Sequence, residues 1–126
     1  MSSRKIAGIA AASGGAAVAL GALGAHAIKQ RVTPEYLDIW NTAAHYHLVM
    51  SVALLAISLW DTESTLKVIQ RLWMAGILIF SGTLYVLVLT GIRWLGAITP
   101  IGGVCLILGW VLLAAKLLKQ QAPGAV

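Results

Sequence analysis

Residues 6–28, 43–60, 72–92 and 97–115 contain no Asp, Glu, Lys or Arg and are mostly aliphatic or small. A helix that crosses the roughly 30 Å hydrocarbon core of a bilayer needs about 20 such residues. Backbone N–H and C=O groups find no water there, so each crossing has to be a helix that satisfies them internally. The sequence therefore predicts an all-α fold, an integral membrane four-helix transmembrane bundle. Asp61, Glu63, Lys67, Arg71 and Arg93 fall in the joints between the runs. No Pro/Gly/Ser-rich linker divides the 126 residues, which read as a single four-span membrane domain.

Charged residues make up 10% of the chain, against roughly a quarter in a soluble domain, so the lipid bilayer is the first partner implied. The net charge of +5 comes from nine Lys and Arg outside the apolar runs, which orients the chain and does not point to nucleic acid. Loops rich in Lys and Arg stay on the cytoplasmic side. With the N-terminus inside, the inner side holds six of them, Arg4, Lys5, Lys67, Arg71, Lys116 and Lys119, and the outer side three, Lys29, Arg31 and Arg93. Both termini are therefore expected in the cytoplasm. Trp60 and Trp73 are expected at the inner interface and Trp40 and Trp94 at the outer one, as an aromatic belt. Cys105 is the only cysteine, which excludes an internal disulfide and a multi-cysteine zinc site.

Arg4-Lys5, an apolar run and Ala25-His26-Ala27 imitate a secretory signal with its cleavage site. The run is 23 residues long, however, whereas the apolar part of a signal is about 7–15, so the segment is expected to be retained as a span. Thr33-Pro34 then reads as a helix start: the Thr hydroxyl caps free N–H groups, and Pro loses nothing at the first helical position. One long helix is expected over residues 34–60, its first turns lying at or above the outer headgroups. Gly91 reads as the cap that ends the third span. Thr99-Pro100 repeats the cap-then-proline device for the fourth, with a proline inside an earlier-starting helix as the alternative.

Helices in lipid associate by close packing, which small residues permit. In the first span Ala7-Ala11-Gly15-Ala19, Gly8-Ala12-Ala16 and Ser13-Ala17-Gly21-Ala25 cover most of the circumference, so this span is expected at the centre, enclosed by the other three. Candidate packing positions are Gly15, Gly21 and Gly24 there, Ser81, Gly82 and Thr83 in the third span, and Thr99, Pro100, Gly102, Gly103 and Gly109 in the fourth. The hydroxyls of Ser81, Thr83 and Tyr85 read as interhelical glue, with a polar path as the alternative.

The three histidines fall toward the outer side, His26 closing the first span and His45 and His47 opening the second. Residues two apart on a helix point about 200° apart, so at most one of His45 and His47 meets His26, and His47 is favoured. Interfacial or structural use competes with a metal- or haem-binding pair, His26 with His47 or His45, and with proton or small-ligand handling. No catalytic triad, paired carboxylates, phosphate-binding loop or zinc-protease motif is evident, so no catalytic residue is assigned and no cofactor is named.

"LGALGAHAIK", "WNTAAHY", "FSGTLYVL" and "ITPIGGVCLILGW" together resemble domain-of-unknown-function family 423, the YgdD-like small four-span inner-membrane proteins. The resemblance runs from about Ile6 to Leu118. It rests on Gly21, Gly24, Ala25, His26 and Tyr46 in the first half and on Ser81, Gly82, Tyr85, Thr99, Pro100, Gly102, Gly103, Gly109 and Trp110 in the second. It implies a bacterial inner-membrane protein and no established activity. The family's second-span histidine, four residues after the tyrosine, is Met50 here, so a pair of His26 with that site is absent. The expected function is non-enzymatic: a structural, accessory or assembly protein associating with itself or with a larger membrane complex. A metal- or haem-binding protein, or an oligomeric small-solute or ion transporter, stands as the alternative.

Overall fold

The computed structural model describes residues 1–61 and 65–124, so Glu63 lies outside the described residues. Helix α1 runs Ser3–Leu23, widens into a π-helical turn over Gly24–Ile28 and finishes with Lys29–Arg31; α2 is Pro34–Trp60, α3 Lys67–Thr90 and α4 Leu95–Gly124. All four are long and apolar enough to cross a membrane, and the described residues contain no strand.

The helix ends follow from local chemistry. Thr33 Oγ1 accepts the Tyr36 N–H at 3.2 Å with Pro34 in the first turn, as the sequence suggests. Gly91 closes α3 at φ 73°, a left-handed conformation that glycine alone adopts without strain. The fourth helix starts earlier than a cap at Thr99 would allow. It begins at Leu95, so Pro100 lies inside it, and the Thr99 hydroxyl donates back to the Leu95 carbonyl at 3.2 Å. The helix tolerates this proline close to its start, where only one backbone hydrogen bond is forfeited.

The helices pack in chain order, and this overturns the central placement of α1. It lies along α2 and reaches α3 through contacts at its N-terminal end such as Gln70 Nε2 to Ser3 Oγ. Ile6, Ala7, Ala10 and Ala17 are buried, while Gly8, Ala11, Ala12, Gly15, Ala19 and Ala22 on the opposite face are exposed. The interior helix is α2: 44% of its apolar window is buried, against 22% for α1 and for α4. Small residues all round permit several neighbours without supplying them. What places α2 inside is the set of side chains that reach both ways from it, including Trp40, Met50, Leu54 and Ile57.

The seam between α3 and α4 is the tightest in the molecule. A Cβ at Gly102 would overlap the backbone of Phe80, one at Gly109 would overlap the Trp73 indole, and one at Gly76 would lie 2.6 Å from Leu106 Cδ2. Trp73 is fully buried, donates its indole N–H to the Leu106 carbonyl at 3.1 Å and packs tilted at 52° against Trp110, the ring centroids 4.7 Å apart. Trp40 is also buried, with its N–H on the Leu20 carbonyl at 2.7 Å. These two tryptophans are therefore interior wedges and not part of an aromatic belt, because each indole donor finds a backbone acceptor inside. Trp60 and Trp94 are exposed.

A methyl added at Gly109 is expected to lower stability by about 1–3 kcal/mol through overpacking. Gly82 has open space around it, so Gly82→Ala is expected to be neutral or to stabilise by up to about 1 kcal/mol. Reversible unfolding in mixed detergent micelles measures both, and equal effects would contradict the seam as described.

Candidate functional site

Three approaches fix the register of α1 against α2: Gly14 on Ser51, Gly21 on Ala44, and Gly24 on Asn41. Each step up α1 is one step back along α2. His47 is therefore level with Val18, close to the middle of the uncharged run of α1.

At that depth three helices exchange hydrogen bonds through four side chains. His47 Nδ1 lies 3.0 Å from the Tyr85 hydroxyl of α3, and His47 Nε2 lies 3.0 Å from Ser13 Oγ of α1. Ser13 and Ser51 hydroxyls are 2.6 Å apart, and Ser51 donates to the His47 carbonyl at 2.6 Å. That last bond sets the direction of all the others. A carbonyl only accepts, so the one proton of Ser51 is committed, and Ser13 has to donate to Ser51. Ser13 Oγ then accepts from His47 Nε2–H, and Nδ1 accepts from Tyr85 O–H. In the neutral ring, the form that burial away from water favours, Nε2 carries the proton and every donor has an acceptor. Trp40 covers the cluster on the side toward the start of α2, its ring 4.8 Å from that of Tyr85.

The indole of Trp40 also explains the glycine of the first motif. A Cβ on Gly24 would sit 2.7 Å from Trp40 Cδ1 and 2.9 Å from Asn41 Oδ1. The π-helical turn begins at this residue, and turns of this kind open where a side chain inserts beside the helix ladder.

The candidate residues separate into groups. His26 is exposed in the π-helical turn, 13 residues above Ser13, or roughly 20 Å of helix rise. His26 and His47 are thus not brought together. His45 is exposed, with its ring edge-on to Tyr46 at 5.4 Å. Ser81 donates to the Ala43 carbonyl at 2.8 Å, and the Thr83 and Thr99 hydroxyls meet at 2.7 Å across α3 and α4. A Cβ on Gly103 would lie 3.6 Å from Phe80 Cδ1, one on Gly15 would meet nothing within 4 Å, and Pro100 is exposed. Among the described residues no three His, Cys, Asp or Glu gather as metal ligands. Sequence reasoning did not single out Ser51, although its position four residues after His47 puts both on one face of α2. Nor did it find Gly76.

A second polar cluster closes the end of the bundle where α1 begins and α2 leads into α3. The buried Asp61 carboxylate accepts the Thr65 N–H at 3.0 Å, the Leu66 N–H at 3.1 Å, and the Thr65 and Ser3 hydroxyls at 3.2 Å. Gln70 Nε2 donates to Ser3 and Ser58, both at 3.1 Å, and Lys67 donates to the Met1 carbonyl. Burial alone would push the Asp61 carboxyl up, but the hydrogen bonds from Leu66, Thr65 and Ser3 outweigh it and hold the group below its usual value.

The family model that matches the chain is described as a protein of unknown function, DUF423, and covers residues 20–103. A UPF0382 membrane protein of Staphylococcus aureus is 43% identical over 105 residues, spanning 82% of this chain and 86% of that protein. The UPF0382 membrane protein YwdK of Bacillus subtilis is 39% identical over 107 residues, spanning 82% and 87%. No solved structure matches.

Two outcomes are expected. His47→Ala removes two interhelical bonds at about 0.6 kcal/mol each and takes from Ser13 the N–H that it accepts. The losses in His47→Ala and Ser13→Ala should therefore be non-additive in a double-mutant cycle of micellar unfolding; full additivity would deny the chain of bonds. Asp61, its native value lowered, contributes stability that is whole above its unfolded value of about 3.9 and fades as pH falls through the lower native one. Asp61→Asn should flatten that acid loss, read from melting temperature between about pH 5 and pH 2.

Proposed function

We infer, for a chain that belongs to the DUF423 family of unknown function, a non-enzymatic accessory or assembly role in the bacterial inner membrane. Its α1 docks on a transmembrane helix of a second copy or of a larger complex, and both termini face the cytoplasm. One observation carries this reading: the outward faces of the two edge helices differ in kind. The exposed face of α4 presents Ile101, Val104, Ile107, Leu108 and Val111, the bulky surface that lipid tails fill. The exposed face of α1 presents Gly8, Ala12, Gly15, Ala19 and Ala22, spaced four and three residues apart. That spacing makes a seam which another helix can approach closely.

The metal or haem reading has less support, because both ring nitrogens of His47 are engaged with Tyr85 and Ser13, and His26 lies far from them. The transport reading has less support because the Ser81, Thr83 and Tyr85 hydroxyls already bond neighbouring helices.

Purification in mild detergent followed by native mass spectrometry tests the role. The expected result is a mass above that of one chain, reduced to one chain by Gly15→Leu. A wild-type protein that always runs as a partner-free single chain would overturn it.

A further inference from the structure

Helices α2 and α4 each pack along α3 but scarcely on each other, which leaves a cleft over α3. The cleft holds a cavity of about 250 Å³. Met50 and Phe80 lie at its floor, Tyr46 stands on the α2 side, and Gly103, Ile107 and Trp110 run along the α4 side. Those three are spaced four and three residues apart, on one face of α4, so the cavity is roughly 10 Å long by helix rise. Gly103 keeps one end open, since a Cβ there would already lie 3.6 Å from Phe80 Cδ1.

Both ends of this cavity are aromatic. At one end Tyr46 and Phe80 meet edge-on at 70°, their centroids 5.2 Å apart. At the other, Trp110 is held by the ring of Trp73 and by its indole N–H on Met50 Sδ at 3.3 Å. That bond uses the indole donor and the thioether, which leaves one free polar group. The Tyr46 hydroxyl has no hydrogen-bond partner among the described residues, whereas that of Tyr85 is bonded to His47. Every lining residue lies in an uncharged run, six or more positions from the nearest Asp, Glu, Lys or Arg. Tyr46, Ile107 and Trp110 are exposed there, so the mouth of the cavity opens on lipid tails.

A hydroxyl left unanswered in hydrocarbon is costly, and an acyl tail passing over it offers no acceptor. Aromatic walls also favour a flat ring, whose edges and faces complement theirs. The fitting occupant combines a flat ring, a carbonyl oxygen on that ring, and a tail apolar enough to keep it among the lipid chains. We propose that the cleft binds the ring of an isoprenoid quinone. A ring carbonyl accepts from the Tyr46 hydroxyl, the ring lies between Phe80 and Trp110, and the prenyl tail leaves past Ile107 into the lipid. The site is separate from the small-residue face of α1 and stands whether or not that face docks on a partner.

Native mass spectrometry of the full chain in mild detergent tests this, with equal amounts of a short-tailed prenyl benzoquinone and of the prenyl alcohol with the same tail, which keeps an acceptor but lacks the ring. One quinone per chain is expected, in preference to the alcohol. Tyr46→Phe should lower the quinone adduct about fivefold, the net worth of one hydrogen bond. Ile107→Trp sets a ring across the mouth and should abolish the adduct. Tyr46→Phe removes a hydroxyl without an internal partner and leaves the fold intact, which keeps the test decisive if the Ile107→Trp protein does not fold. No quinone adduct on the wild-type chain, equal adducts of quinone and alcohol, or an undiminished adduct on either variant would overturn the proposal.

Discussion

Inside a bilayer a helix gains nothing by hiding leucine, because lipid is as apolar as any neighbour it could hide against. Two other interactions then decide which helices touch: how closely backbones approach, and whether polar groups deprived of water find partners in another helix. Both are visible in this chain. Gly102 on Phe80 and Gly109 on Trp73 let the α3 and α4 backbones approach, and Trp73 on the Leu106 carbonyl and Thr83 with Thr99 add hydrogen bonds across that seam. The contact between α1 and the rest is held by polar pairing, through Ser13 with His47 and Ser51 midway along the span and Ser3 with Asp61 at the N-terminal end of α1.

The pairing at mid-membrane has a fixed direction, and that is its physical interest. An imidazole at this depth is costly unless both nitrogens are answered. Here the carbonyl of His47 itself orients Ser51, Ser51 orients Ser13, and Ser13 sets the tautomer of the ring that began the sequence of bonds. Tyr85 completes it from the third helix. The histidine is thereby held as a joint between α1, α2 and α3 and carries no net charge.

The number of helices and two of their ends were legible in the sequence. Absence of charge over about 20 residues is a local property, as are Thr33-Pro34 and Gly91. The arrangement of the helices was not legible. A run of alanines and glycines fits a central helix as well as an edge helix that awaits a partner, and the difference lies in whether long side chains from other helices reach it. The tryptophans misled for a related reason. An indole near a span's end suits the headgroup layer until a backbone carbonyl such as that of Leu106 offers its N–H a partner inside. His47 could be narrowed to one of two residues by the 200° argument, but its partners lie 34 and 38 residues away in sequence, beyond any spacing rule.

Everything rests on α1 standing at the edge of the bundle, in register with α2 alone. Cysteine cross-linking within one chain reads this directly. A Cβ at Gly21 would lie 3.9 Å from that of Ala44, within the range a disulfide requires. Gly21→Cys with Ala44→Cys, in a Cys105→Ala background, is predicted to oxidise readily to an intramolecular disulfide. Gly15→Cys with the native Cys105 of α4 is predicted to form none. An intramolecular disulfide between Cys105 and the thiol introduced by Gly15→Cys, together with an unreactive first pair, would put α1 back at the centre and contradict the account.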